Sequence, residues 1–348
     1  MISTFDPREV TVLLKDITGL VQPQSTAERE ARIQGGTPYC EMLPIEYEPS
    51  RSYLQTYEWA LEKHGRRVAQ AAANCALGIL RRRGPDTVLV SLARAGTAAG
   101  ILIRRYARDY LGADFPHYTI SIIRGVGIDG NAMRHILHRH APQQLQFVDG
   151  WTGKGAILGE LQQAVRAYEG VDPGLAVLAD PARIAAIAGT QDDLLIPGSC
   201  LNATVCGLLS RTFLRRDIIR PHDFHGAAYY RHLRGRDLTA SYLDAIGQHF
   251  PSVKPQEQTG TAADPLAEVT AVQRAFGIRN INHVKPGIGE ATRVLLRRLP
   301  WKILVHSRSD QENLGHLYIL AAEKGVEIAE YPLHAYRACG LIRSLSDV

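Results

Sequence analysis

The run LQFVDGWTGKGAI at 145–157 constrains this chain more than any other stretch. Leu145 to Val148 are mostly apolar and read as a buried strand, which ends on an acid, Asp149. A loop of small and hydroxyl residues follows: Gly150, Trp151, Thr152, Gly153, Lys154 and Gly155. Ile157, Leu161, Ala164, Val165 and Tyr168 then fall on one helical face. Strand, acidic tip, small-residue loop and helix make the shape of a phosphate cradle. Backbone N–H groups of such a loop point at an anion, and glycine allows close approach. The spacing Gly-x-x-Gly-Lys-Gly fits neither a P-loop nor a dinucleotide fingerprint. What remains is a loop sized for one phosphate with a carboxylate beside it for hydroxyls, which suits a ribose 5-phosphate. An ordinary tight turn, with Asp149 as a helix N-cap, is the competing reading.

Around this run, short apolar segments alternate with helical patterns. A long helix is expected from about Tyr57 to Arg83, then strand VLVSLA (88–93) and helix TAAGILIRRYARDYL. YTISII (118–123) reads as a strand, NAMRHILHRH as a helix, and LAVLA (175–179) and DLLIP (193–197) as strands. This alternation predicts an α/β fold with a parallel sheet and helices on both faces, its ligands at the carboxyl ends of the strands. PSVKPQEQTGTAADP (251–265) is rich in Pro, Gly, Thr and Gln. It marks a linker, placed over 251–275, between a domain at 1–250 and a second at 276–348. In the second, KPGIGEATRVLLRR predicts a glycine turn and helix, KILVHS a strand, ENLGHLYILAAEKG a helix, VEIAEYP a strand and HAYRACGLIR a short helix. That order implies a small three-layer α/β sandwich.

Three further segments carry candidate chemistry. Arg94, Ala95, Gly96 and Thr97 follow strand VLVSLA, where backbone amides and a guanidinium fork suit an anion. Arg124 follows YTISII and precedes the glycine-rich Gly125 to Gly130, a loop suited to closing over a charged leaving group. LIPGSCLNATVCGLLSRT (195–212) sets Ser199, Cys200, Asn202 and Arg211 in an apolar context. With His225, these residues are candidates for orienting a small-molecule acceptor. Cys200 and His225 are also the best pair for a cysteine protease, although no protease signature surrounds Cys200. His135, His138 and His140 do not share one helix face, which favours a solvated helix end over a metal site.

The phosphate-type run, together with VSLARAGTAAG, HYTISIIRG and LIPGSCLNATVCGLLSRT, resembles the StiP family over nearly the whole chain. That family comprises phosphoribosyltransferase-like proteins of bacterial tellurium-resistance and stress operons, and it also carries a cysteine-protease label. The resemblance implies a type I phosphoribosyltransferase-like sheet using Mg²⁺ and phosphoribosyl pyrophosphate (PRPP). Asp149 would then hold the ribose hydroxyls, directly or through Mg²⁺, and 150–155 the 5-phosphate. The loop 94–97 would take the diphosphate, with Arg94 and Arg124 serving the leaving group. The parent loop carries two adjacent acids and ends Thr-Gly-x-Thr, whereas this chain has Asp149 alone and Thr152-Gly153-Lys154-Gly155. The C-terminal unit resembles the Pelota-type RNA-binding domain, related to kink-turn binders with a Gly-x-Asn-Glu-x-x-Lys turn. Gly287, Glu290 and Arg293 match that turn, Gly289 stands at the Asn position, and Lys285 adds charge. Poor discrimination between RNA sequences is expected without that amide.

Five cysteines, at 40, 75, 200, 206 and 339, are odd in number and never C-x-x-C. They imply reduced thiols and a cytoplasmic location. No membrane-length apolar run or secretory signal is visible. The net charge of +5 suits anionic ligands. Between 278 and 348, ten Lys/Arg face seven Asp/Glu, which is compatible with RNA. The expected function is phosphoribosyl transfer to or from an unidentified base or small molecule, with a homodimer as the candidate assembly. The alternatives are a non-catalytic PRPP- or nucleotide-sensing RNA regulator and a Cys200-dependent protease.

Overall fold

A computed structural model describes residues 1–257 and 264–342, apart from the side chain of residue 52. The strands before residue 257 are β1 (Thr11–Val12), β2 (Lys15–Asp16), β3 (Val88–Leu92), β4 (His117–Ile120) and β5 (Ile122–Ile123). They continue with β6 (Gly127–Ile128), β7 (Leu145–Trp151), β8 (Leu175–Ala179), β9 (Ile187–Thr190) and β10 (Gly226–Ala227). Six form a wholly parallel sheet in the order β1-β4-β3-β7-β8-β9. Every residue of β3 and β8 is buried, as expected of strands covered on both faces. The chain passes from β3 to β4 on one side, then returns to place β7 on the other side of β3. The carboxyl ends of β3 and β7 therefore flank the point where strand order reverses.

The helices of this region are α1 (Thr26–Gln34), α2 (Arg51–Arg83), α3 (Ala95–Leu111), α4 (Gly130–Leu137), α5 (Ala156–Val165) and α6 (Thr239–Gly247). Helix α2 begins earlier than its apolar pattern suggests because Ser50 caps it, accepting from the Tyr53 N–H. It ends where Gly84 takes φ 83°, after Arg81, Arg82 and Arg83 complement the helix dipole. Helices α2 and α3 pack on one face of the sheet. Helices α4 and α5 cover the other through Met133, Ile136, Leu161 and Val165. No helix among the described residues is long and apolar enough to cross a membrane.

The C-terminal region contains α7 (Pro265–Ala275), β11 (Val284–Pro286), α8 (Ile288–Arg297), β12 (Pro300–Val305), α9 (Gln311–Glu323), β13 (Glu327–Glu330) and β14 (Ala338–Ile342). Its sheet runs β11-β14-β12-β13. Val269 and Val272 of α7 pack with Leu304, Tyr336 and Leu341. Buried residues of α8 and α9 join those of α2 and α3 in one continuous core cluster.

Four expectations are corrected. DLLIP (193–197) is not a strand; the sheet edge is Ile187–Thr190 instead. Asp193 gives its carboxylate to backbone N–H groups of the C-terminal region, and Pro197 lacks a ladder donor. YTISII breaks after Ile120, and Ile122–Ile123 turns into an antiparallel pair with Gly127–Ile128. Part of the expected linker is α7, whose Asp264 caps it and whose apolar face is buried; 258–263 lie outside the described residues. The expected helix HAYRACGLIR supplies β14, which is paired on both sides. Gly340 there lies directly beneath Ala291 and Val294 of α8, where a Cβ would sit 2.9 Å from the Val294 side chain.

Candidate functional site

The loops after β3 and β7 meet because both strands end at the same edge and glycine lets the backbones touch. A Cβ on Gly96 would lie 2.5 Å from the Val148 carbonyl oxygen. Arg94 precedes α3, its peptide bond to Ala93 is cis, and its guanidinium donates to the Leu209 carbonyl. On the facing loop, Asp149 Oδ1 accepts the Gly150 N–H at 2.7 Å. Burial pushes the Asp149 carboxyl up to about 6, although that N–H and nearby Arg293 oppose the rise. Gly155, at φ 87°, opens α5.

A small cavity of about 40 Å³ lies between these loops. Arg94, Ala95, Gly150 and Trp151 line it together with Ser199, Asn202, Cys206, Arg293 and Arg297. The structure thus joins the expected anion loops with half of the expected acceptor segment. The Ser199 hydroxyl is buried there without a hydrogen-bond partner. Cys200 is displaced from this wall: it sits beside Tyr53, and burial raises its thiol to about 12. His225 is held elsewhere, with Nδ1 2.9 Å from Ser121 Oγ and its N–H on Asp129 at 2.6 Å. Among the described residues no histidine is hydrogen-bonded to a cysteine, so the expected Cys200–His225 pair does not form. Arg211 is not one of the cavity's lining residues; it stacks over the Tyr39 ring at 5.0 Å and donates to the Tyr39 carbonyl.

Other expected side chains are committed to structure. Thr97 Oγ1 is 2.7 Å from Thr119 Oγ1. Thr152 donates to Asp180 Oδ1 at 2.6 Å, and the same carboxylate takes the Ile184 and Ala185 N–H groups. Their backbone N–H groups are also committed, that of Thr97 to the Arg94 carbonyl and that of Thr152 to the Ala179 carbonyl, each at 3.0 Å. Arg124 donates to Asn282 at 2.6 Å and its own N–H to the Tyr39 hydroxyl, outside the cavity. His140 bonds Tyr118, and His135 packs on both Tyr118 and Phe224, so these two histidines flank a tyrosine ring.

The C-terminal turn expected to face RNA instead closes this site. The Arg293 guanidinium lies 4.4 Å from the centre of the Trp151 ring. A Cβ at Gly289 would be 2.5 Å from Trp151 Cε2, so only glycine fits where the related motif carries Asn. Glu290 bonds Arg293 at 3.0 Å; burial opposes its ionisation, but Arg293 and Lys285 hold its carboxyl below the ordinary range. Lys154 reaches across the domains to the carbonyls of Ile281 and Val284. Burial, then Lys285 and Arg124, lower its ammonium to about 7. Asp193 accepts the Ile288 N–H at 3.0 Å, just beyond Gly287, and the Arg337 N–H at 2.8 Å. Tyr336 donates to the Gly153 carbonyl. Asp180, Asp193, Tyr336 and Arg297 were not singled out from sequence, because their roles depend on partners remote along the chain.

The family profile described as "Tellurite-like stress resistance cysteine protease StiP" matches residues 3–247. A protein of Acinetobacter baylyi (strain ATCC 33305 / BD413 / ADP1), named "Cysteine protease StiP", is 34% identical over 364 residues, covering 98% of this chain and 94% of that one. The chain belongs to the StiP family. The profile of the PELOTA RNA binding domain matches residues 263–344, which include α7 and so place it within the second domain. A crystal structure of a hypoxanthine-guanine phosphoribosyltransferase from Bacillus anthracis is similar over 35% of this chain and 71% of its own. At 14% identity and a TM-score of 0.26, that likeness carries no argument about the fold.

Proposed function

We propose that this StiP-family chain is a phosphoribosyltransferase, using PRPP with Mg²⁺ and an unidentified base or small molecule as the other partner. One observation supports the reading above others: the carboxyl ends of β3 and β7 adjoin at the reversal of strand order, and Arg94 and Ala95 after the one share an arginine-walled cavity with Gly150 and Trp151 at the end of the other. Parallel α/β sheets bind ligands at such a point. Loop and helix amides at 153–156 would take the 5-phosphate, and Asp149 the ribose hydroxyls. Arg94, with amides of the α3 N-terminus, would stabilise charge as the diphosphate leaves. The transition state would be oxocarbenium-like, so no nucleophile is required.

Among the described residues no three His, Cys, Asp or Glu side chains gather into a metal cage. Magnesium on a diphosphate needs only one or two carboxylates, and Asp149, next in the chain to the cavity-lining Gly150, would supply one. When bound, the ion would neutralise diphosphate charge. A cavity of about 40 Å³ holds roughly three waters. Ligand entry therefore requires α8 to withdraw from Trp151, a closing element of the kind that excludes water from a reaction.

Incubation with PRPP, Mg²⁺ and a pool of bases, followed by ³¹P NMR, tests the reading. Pyrophosphate release that requires a base and falls at least tenfold in Asp149→Asn supports it; PRPP left intact with every base rejects it. The packing of the Pelota-type turn on Trp151 favours a second reading, a ligand-responsive RNA regulator. That reading requires RNA affinity to change when PRPP is added. A protease reading, suggested by the relative's name, has against it the buried thiol of Cys200 and its separation from His225.

A further inference from the structure

We propose that the anion site is built by both domains, with Arg297 of α8, supported by Arg293, completing with Arg94 a half-buried receptor for a diphosphate. The identity of the anion rests on the transferase reading; the site itself rests on charge.

Arg94, Arg293 and Arg297 all line the cavity. Arg293 has a carboxylate partner in Glu290. Among the described residues, Arg94, Arg211 and Arg297 form no salt bridge to a carboxylate. The Arg297 guanidinium donates to Asn202, but its Nε is buried and has no partner, as is that of Arg211. Glu46 is the carboxylate felt by Arg297, and its Oε1 already accepts the Ala203 N–H. Burial and then Arg94 lower the Arg297 guanidinium to about 9; burial and then Arg29 lower Arg211 to about 10.

Half-buried arginines without a carboxylate ion pair, as Arg94 and Arg297 are, favour an anion that joins them. Guanidinium forks match phosphate oxygens with parallel N–H donors, so the missing partner is of phosphate class. A diphosphate can engage two guanidinium groups at once, and Arg94 and Arg297 line the same cavity. Helix α8 is thus a binding element as well as a cover. Both functions depend on Asp193 and Trp151 seating its first turn.

The test is calorimetric titration of the full chain with inorganic pyrophosphate, comparing wild type, Arg297→Gln, Arg297→Lys and Arg94→Gln. Arg297→Gln should weaken binding 10- to 100-fold, as Arg94→Gln does, with partial recovery in Arg297→Lys. Thermal unfolding without ligand should be unchanged or raised in Arg297→Gln, because an uncompensated charge is removed; a purely structural arginine would lower it. Wild-type affinity in Arg297→Gln, with binding lost in Arg94→Gln, overturns the two-domain site while leaving the transferase reading intact. Absence of pyrophosphate binding to wild type also overturns it. Loss of binding in both variants, with PRPP unconsumed by wild type, keeps the composite site and rejects the transferase.

Discussion

Thr152 and Asp149 stand three residues apart and act differently. The Thr152 hydroxyl is bound to Asp180, which also holds the 184–185 turn. Thr152→Ala should therefore act through the fold, lowering stability by about 1 kcal/mol for the lost hydrogen bond, with ligand affinity changing little. Chemical denaturation paired with calorimetry separates the two effects. Asp149 gives a pH signature. Its folded-state carboxyl holds a proton up to about 6, above its ordinary 3.8, so the native state binds more protons than the unfolded chain in that window. Stability should fall as pH rises from about 4 to 6, and Asp149→Asn should flatten the fall; equal slopes in both proteins would contradict the burial argument. Lys154 gives the opposite proton flow on binding. Its ammonium, lowered to about 7, would be drawn back up by an anion, so ligand binding near pH 8 should take up a proton. Binding enthalpies that do not vary with buffer ionisation enthalpy would exclude this. From sequence the residues of the loop were legible because glycine spacing and an acid at a strand end are local signals. The partners that occupy Thr97 and Thr152 were not, since Thr119 and Asp180 reach them only after the sheet forms.

At the scale of elements, the sheet was readable from apolar runs, and β3, β7 and β8 lie within a residue or two of where those runs end. β9 escaped notice because IAGT holds small and polar residues with half-buried positions and little apolar period. β14 was misread as a helix for a related reason: Ala338 to Ile342 are all buried, so burial leaves no alternation to betray a strand. The α8 turn was legible as a motif but not in direction. Its glycine faces the indole of Trp151 rather than a base. Gly289→Ala should destabilise the full chain by about 1–3 kcal/mol through overpacking. The same change in a Trp151→Ala background should cost much less. Equal losses in both backgrounds would show that the two residues do not meet.

For the whole molecule, the apolar cluster that runs from α2 and α3 into α8 and α9 replaces the picture of two bodies joined by a linker. Polar ties reinforce it: Arg298 bonds the buried Glu30 at 2.8 Å, and His64 lies 2.9 Å from the Glu312 carbonyl oxygen. Calorimetry should show one cooperative transition, and two resolved peaks would refute a shared core. Asp193→Ala strands buried N–H groups at the start of α8 and at Arg337, at a cost of about 1–3 kcal/mol. If RNA reads the covered turn, this substitution should tighten RNA binding in the full chain at low salt. Unchanged affinity would move the RNA contact to another face.

The Gly289–Trp151 contact also limits how such a chain can be recombined. A Pelota-type module grafted from a protein with asparagine at the turn would bring an amide into the space of the indole ring. The graft would fail to seat until glycine was restored or the tryptophan trimmed. A substitution on either side of the seam thus sets what the other side can accept.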